Sequence, residues 1–214
     1  MGVEVKICGL TTSEDAALAA AAGASYLGVV FASGPRVVTP ARAAEIRGAG
    51  AGVPVLGVFG DQSPDDILRI VRSAGLTGAQ LHGSYGRPDA RRLRGEGLLV
   101  WRVMRIAAPG DLDRLEETAT DADAVLVEPR VAHAAGGTGV SLDLAVAREA
   151  RARLGKTRMV LAGGLTAATV AEAAALVRPE VVDVSSGVER HPGCKDPDKI
   201  AAFLEAALGP SPIS

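Results

Sequence analysis

Short apolar runs rich in β-branched residues recur along the chain at nearly even intervals. Runs of this length and composition are typical of buried strands. Gly and Pro residues separate the runs and mark the turns between them. The pattern predicts eight strands, at 3–8, 26–31, 53–59, 79–82, 98–104, 123–128, 158–162 and 181–185.

Segments with helical character lie between these strands. Ser13 is followed by Glu14 and Asp15, which is typical of a helix start, and Pro40 suits a first helical position. Alanine is frequent in these segments, in keeping with its high helix propensity. The pattern predicts helices at 13–22, 40–47, 64–74, 87–95, 111–118, 142–153, 167–177 and 196–208.

Eight strand–helix units in 214 residues indicate a parallel α/β fold. This number of units favours a single (β/α)8 TIM barrel, with an open doubly wound sheet as the alternative. Because no linker divides the sequence, we expect one catalytic domain over 1–209. We expect 210–214 to form a flexible C-terminal tail.

Composition narrows the class of protein. The formal net charge of −2 weighs against a nucleic-acid partner, and no apolar stretch has the length of a membrane span. The first residues lack a signal-peptide pattern, and two cysteines do not make a disulfide framework. We therefore expect a cytoplasmic protein with reduced thiols and a small-molecule partner.

Unusual polar residues fall where the predicted strands end. In a (β/α)8 barrel these ends share one rim, where the chemistry takes place. Cys8, Arg36, His82, Glu128 and Asp183 all lie at or just beyond a predicted strand. We expect them to surround one pocket.

Glycine-rich segments follow the last three predicted strands. Backbone N–H groups in such loops can converge on an anion, although a glycine pair can also simply form a tight turn. Three such loops on adjacent units favour the anion site. The expected phosphate contacts are Gly137, Gly163, Gly164, Ser185, Ser186 and Gly187.

Strand alternation places Lys6 and Cys8 on the face that points into the barrel. A buried ammonium needs a partner, and Asp183 on the neighbouring last strand is the natural candidate. A lone cysteine is usually a small buried apolar residue. The alternative hypothesis is that Lys6 lies close enough to favour the Cys8 thiolate, which makes the sulfur a base or nucleophile.

Glu128 also points inward by alternation. A carboxyl and a thiol facing one pocket suit paired proton transfer, while the simpler reading of Glu128 is a salt bridge. The spacing of His82, His133 and His191 does not match a metal site, so we expect no metal.

Several short motifs occur in order along almost the whole sequence. They are KICGL at 6–10, GVVF at 28–31, PR at 35–36, GVF at 57–59, QLHG at 80–83, GGTG at 136–139, LAGGLT at 161–166, VDVSSGVE at 182–189 and PGCKD at 192–196. In order and spacing these motifs resemble those of the phosphoribosylanthranilate isomerase family.

The resemblance implies a (β/α)8 barrel that needs no cofactor. It implies conversion of N-(5-phosphoribosyl)anthranilate to 1-(2-carboxyphenylamino)-1-deoxyribulose 5-phosphate, an Amadori rearrangement in tryptophan biosynthesis. It further implies Cys8 as general base and the residue at the end of strand 6 as general acid. Arg36 would hold the anthranilate carboxylate, and Asp183 would lie near the amine. Apart from the resemblance, we expect His82 to contact the substrate and the protein to be a monomer or homodimer.

The sequence departs from the family pattern at the general acid, where Glu128 stands in place of the usual Asp. Three other readings remain at this point. One is the related histidine-pathway isomerase or a bifunctional version of it, and another is a ribulose-phosphate epimerase. The third is a phosphosugar-binding protein without catalytic activity.

Overall fold

A computed structural model of the chain describes residues 2–130 and 142–209. Eight parallel strands close into a barrel in the order in which they occur in the sequence. The strands are β1 Glu4–Ile7, β2 Tyr26–Val30, β3 Val55–Phe59, β4 Gly78–Leu81, β5 Leu99–Ile106, β6 Ala124–Pro129, β7 Arg158–Ala162 and β8 Val181–Val184. The predicted barrel is confirmed, and the open sheet is excluded because β1 pairs with β8.

Helices follow the strands and cover the outside of the barrel. They are α1 Ser13–Ala21, α2 Pro40–Ala49, α3 Pro64–Ala74, α4 Arg87–Gly95, α5 Leu115–Ala119, α6 Leu144–Leu154, α7 Val170–Val177 and α8 Pro197–Leu208. Thr12 and Thr39 cap α1 and α2 by accepting a backbone N–H of the first turn, as Ser63 does for α3. None of the helices in the described ranges is both long and apolar enough to cross a membrane.

Two predicted helices differ in detail. The segment predicted at 111–118 is a 3₁₀ helix over Pro109–Arg114 that continues into the short α5. The helix predicted from 167 begins at Val170, because Thr166 and Thr169 bond to each other in a turn.

A small antiparallel hairpin, β9 Glu189–His191 with β10 Cys194–Lys195, follows β8 and was not predicted.

The core has two layers, as strand alternation requires. Val5, Ile7, Val125 and Val127 pack outward beneath the helices. The inner face of the barrel holds a separate cluster of Leu56, Trp101, Ala124, Leu126, Val160, Ala162 and Val181. This inner layer supports the polar side chains above it, at the carboxyl ends of the strands.

Gly137 and the predicted tail at 210–214 lie outside the described residues.

Candidate active site

The five polar residues expected around one pocket do line a single cavity. Cys8, Arg36, His82, Glu128 and Asp183 come from four strand ends and the loop after β2. The rest of the wall is formed by Val30, Ala32, Ser33, Val58, Gln80 and Ser185. The cavity lies at the carboxyl rim, which is where function is located in barrels of this type.

Cys8 lies directly after β1 and is buried. Its backbone N–H donates to the carbonyl of Val184 at 2.8 Å, which continues the pairing with β8. Gly28 on β2 makes room for the sulfur, because a Cβ there would lie 2.8 Å from Cys8 Sγ. The thiol is therefore held on the inner face, against the Lys6 side chain.

Burial raises the pKa of the Cys8 thiol above its ordinary value, while the charge of Lys6 lowers it in part. Lys6 therefore favours the thiolate, as hypothesised, but its effect is smaller than that of burial. Lys6 is itself tied to Asp183 by a 2.8 Å ion pair, as predicted. Because the ammonium is paired with the Asp183 carboxylate, it stabilises a charge on the Cys8 sulfur less than a free ammonium would.

Glu128 lies in β6 with its side chain only 9% exposed. Its Oε1 accepts a hydrogen bond from Arg105 Nε at 2.9 Å and lies 3.6 Å from His82 Nδ1. Burial raises the pKa of the carboxyl, and the Arg105 guanidinium offsets part of this rise. A carboxyl that keeps its proton to higher pH suits the role of a proton donor.

His82 follows β4, and its backbone N–H donates to the Phe59 carbonyl at 2.8 Å. Burial, with the charges of Arg105 and Lys6, lowers the pKa of its imidazole to about 3. The ring is therefore neutral at physiological pH, so its nitrogens form hydrogen bonds without adding charge to the cavity.

Arg36 is held by a carboxylate that the sequence analysis did not identify. Its Nε and Nη2 donate to Glu189 at 2.8 and 2.7 Å, a bidentate pair between the loop after β2 and strand β9. Buried Lys195 also donates to Glu189, at 3.0 Å. Two cations thus share one carboxylate, which leaves positive charge for an anionic group of a ligand.

A second recess adjoins the first and shares Glu128, Asp183 and Ser185 with it. Its lining otherwise comes from the ends of β7 and β8 and the loops that follow them, namely Ala162, Gly163, Gly164, Leu165, Val184, Ser186 and Gly187. Gly163 and Gly164 both have positive φ, 105° and 66°, a conformation that glycine adopts at no steric cost. Five of the six expected phosphate contacts are therefore brought together.

Arg105, Glu189 and Lys195 are the site residues that sequence reasoning missed. Arg105 lies beyond the predicted end of its strand at 104, although a charged residue near a strand end was a usable signal. Glu189 and Lys195 stand in motifs quoted for the resemblance, yet their contacts depend on the unpredicted hairpin. Within 2–130 and 142–209, no group of three or more His, Cys, Asp or Glu residues could hold a metal ion.

The fold and the site together define a class. The chain forms a closed parallel barrel that carries titratable groups and a glycine-rich recess at its carboxyl rim. These features define a (β/α)8-barrel enzyme. The chain belongs to the N-(5′-phosphoribosyl)anthranilate isomerase family, whose model matches residues 5–206. The resemblance drawn from the sequence motifs is confirmed.

Individual relatives agree with this assignment. The chain is 43% identical to the N-(5′-phosphoribosyl)anthranilate isomerase of Symbiobacterium thermophilum, with 96% of this chain and 98% of the relative covered. The solved Thermotoga maritima phosphoribosyl anthranilate isomerase is 33% identical, with a TM-score of 0.87 and 97% and 99% of the two chains covered. Another solved relative, in complex with reduced 1-(o-carboxyphenylamino)-1-deoxyribulose 5-phosphate, is 32% identical, with a TM-score of 0.82 and the same two shares covered.

Proposed function

We propose that this protein converts N-(5-phosphoribosyl)anthranilate to 1-(2-carboxyphenylamino)-1-deoxyribulose 5-phosphate, an Amadori rearrangement in tryptophan biosynthesis. Membership of the family supports the reaction. The observation that carries the proposal is that Cys8 and Glu128 line one cavity, which adjoins a glycine-rich recess. A proton donor, a proton acceptor and an anion site are what the rearrangement requires.

Glu128 acts as the general acid. Its proton passes to the ribose ring oxygen while the bond from that oxygen to C1 breaks. The amine lone pair forms the C1–N double bond, so the ring opens to a protonated imine and Glu128 is left as a carboxylate. The raised pKa of Glu128, which burial causes, keeps the proton available for this step.

Cys8 acts as the general base. Its thiolate takes the proton from C2, and the electron pair of that bond forms a C1–C2 double bond while the imine nitrogen becomes neutral. The resulting enolamine takes a proton at C1 from water and releases the proton of its C2 hydroxyl to water, which gives the ketone. Glu128 then takes up a proton from solvent and Cys8 releases one, so both groups return to their starting forms and the reaction consumes no other reagent.

The protonation order of these two groups follows from their chemistry. The ordinary pKa of a thiol lies about 4 units above that of a glutamate. Burial raises the pKa of both Cys8 and Glu128. The form with a thiolate and a protonated carboxyl is therefore a minor one. Because the carboxyl is the stronger acid, the acidic limb of the pH–rate profile corresponds to the pKa of Glu128 and the basic limb to the pKa of Cys8.

The remaining residues bind and orient the substrate. Arg36 holds the anthranilate carboxylate with its guanidinium, while Asp183 and His82 contact the amine and sugar side. The phosphate lies against Gly163, Gly164, Ser185, Ser186 and Gly187, together with Gly137. Phosphate binding far from the reacting carbons supplies binding energy for orientation.

The proposal extends to the protein as a whole. One catalytic domain over 1–209 carries the activity, with 210–214 as a tail. The protein works in the cytoplasm as a monomer or homodimer on a small phosphorylated substrate, with no nucleic-acid or membrane partner.

Replacement of either proton-transfer residue tests the function. Cys8→Ala and Glu128→Ala are each expected to lower kcat by roughly 10²- to 10⁴-fold, the usual contribution of general acid–base catalysis. Turnover is followed as the loss of anthranilate fluorescence. Binding of reduced 1-(o-carboxyphenylamino)-1-deoxyribulose 5-phosphate, measured by calorimetry, should persist in both variants.

Cys194→Ala and Glu205→Ala are the matched controls, since neither residue lines the cavity. Full turnover by Cys8→Ala or Glu128→Ala would remove that residue from its role. Binding without turnover in the wild-type protein would instead identify a phosphosugar-binding protein.

A further inference from the structure

Arg105 is the direct hydrogen-bond donor to the carboxyl of Glu128 among the described residues. It is the last but one residue of β5, and in the strand register it stands beside Glu128 of β6. Its Nε lies 2.9 Å from Oε1. The carboxyl is 9% exposed and the Arg105 side chain is 32% exposed, so the guanidinium approaches from the rim.

The same guanidinium also holds His82. Arg105 Nη2 lies 3.0 Å from His82 Nδ1, which accepts because the ring is neutral. His82 Nε2 therefore carries the ring proton and faces the side-chain amide of Gln80. With the amide turned so that its oxygen faces that proton, the otherwise unpartnered Gln80 Oε1 is satisfied. The fork of Arg105 is thus fixed at two points.

We propose that Arg105 is a positioning residue that holds the Glu128 carboxyl in the geometry for proton donation. This inference rests on the proposed function. Glu128 has one more methylene, and one more rotatable bond, than the Asp usual in the family. A clamp on Oε1 removes that freedom at the place where a misplacement of about 1 Å can lower a rate roughly 100-fold.

Arg105 also faces the charge that appears during the reaction. As the proton leaves Glu128 for the ring oxygen, negative charge develops on a buried carboxyl. A donor already in place stabilises that charge without rearrangement. A glutamate buried without such a partner would resist giving up its proton.

Arg105→Gln separates positioning from a structural role. We expect kcat to fall roughly 10- to 100-fold, with KM nearly unchanged. Because Arg105 lowers the pKa of Glu128, its removal should move the acidic limb of the pH profile to higher pH. That shift alone would populate the protonated acid more, so a lower plateau rate reports the loss of geometry. Arg105→Lys, which keeps the charge, should restore part of the rate.

The double variant decides whether Arg105 acts through Glu128. In a Glu128→Gln background, adding Arg105→Gln should cause no further loss. Arg114→Gln, which removes a charge from the same side of the rim, should leave kcat and the pH profile unchanged. Thermal unfolding of each variant checks the fold.

If the wild-type protein converts the substrate, the proposed function stands, and two results would then overturn the role of Arg105. One is a wild-type rate and pH profile in Arg105→Gln. The other is a rate of the double variant that equals the product of the losses in the two single variants. If the wild-type protein does not convert the substrate, the proposed function fails instead.

Discussion

At the scale of single residues, burial affects the pKa values of the two proposed catalytic groups more than the neighbouring charges do. Cys8 and Glu128 both sit where water is largely excluded, and burial raises the pKa of each. Lys6 and Arg105 counter this effect in part. Because burial raises both pKa values, we expect the ordinary order to persist, with the thiol as the weaker acid.

This order predicts a profile of kcat/KM against pH with a broad plateau. Activity should rise with pH through the pKa of Glu128 and fall as pH passes the pKa of Cys8. In a Cys194→Ser background, the pH midpoint of Cys8 alkylation by iodoacetamide should coincide with the basic limb. An alkylation midpoint at the acidic limb would reverse the assignment of the two groups.

At the scale of elements, short connections after the last strands shape the anion recess. Gly187, in the short 3₁₀ turn Ser186–Val188 after β8, lies against the loop that follows β7. A Cβ added at Gly187 would overlap the backbone carbonyl oxygen of Leu165. The two loops can approach this closely only because position 187 has no side chain.

Gly187→Ala should separate these loops. We expect the free energy of unfolding to fall by about 1–3 kcal/mol, the usual cost of overpacking, and the inhibition constant of inorganic phosphate to rise. Denaturant unfolding and competitive inhibition measure the two effects. Gly110→Ala is the control, because nothing lies within 4 Å of its added Cβ. An equal inhibition constant of phosphate for both variants would show that the packing of Gly187 does not affect phosphate binding.

At the scale of the whole molecule, a buried ion pair spans the closure of the barrel. Lys6 of β1 and Asp183 of β8 are register partners, and their side chains are 0% and 9% exposed. Burial lowers the pKa of Lys6, but Asp183 and Cys8 together more than offset this, so the pKa stays above its ordinary value. The ammonium therefore remains charged inside the barrel, 5.7 Å from the centre of the Trp101 ring.

Lys6→Met should destabilise the protein by about 3 kcal/mol or more, because it leaves Asp183 as a buried charge without its partner. Denaturant unfolding measures the change. Arg42→Ala breaks the exposed pair with Glu45 and should cost less than about 1 kcal/mol. A Lys6→Met protein as stable as Arg42→Ala would contradict a structural role for the buried pair.

Much of the site was predictable, for a definite physical reason. Cys8, Glu128 and Asp183 were placed together because alternation fixes which side chains point inward, and parallel strands end at one rim. Arg105 and Glu189 were missed because Arg105 lies beyond the predicted end of its strand and Glu189 lies in the hairpin that was not predicted. Alternation within the predicted strands carries no information about residues outside them.

The amino-acid sequence alone determined the alternation of the eight barrel strands with their helices and the family, because these follow from periodicity, turn residues and motifs. It favoured a closed barrel over an open sheet, and the pairing of β1 with β8 in the structure decided between them. Tertiary structure decided which charges meet and how far each group is removed from water. It set the balance between burial, which raises the pKa of the Cys8 thiol, and Lys6, which lowers it, and it placed Arg105 beside Glu128. Burial and partner distance set these properties, and both exist only once the barrel has closed.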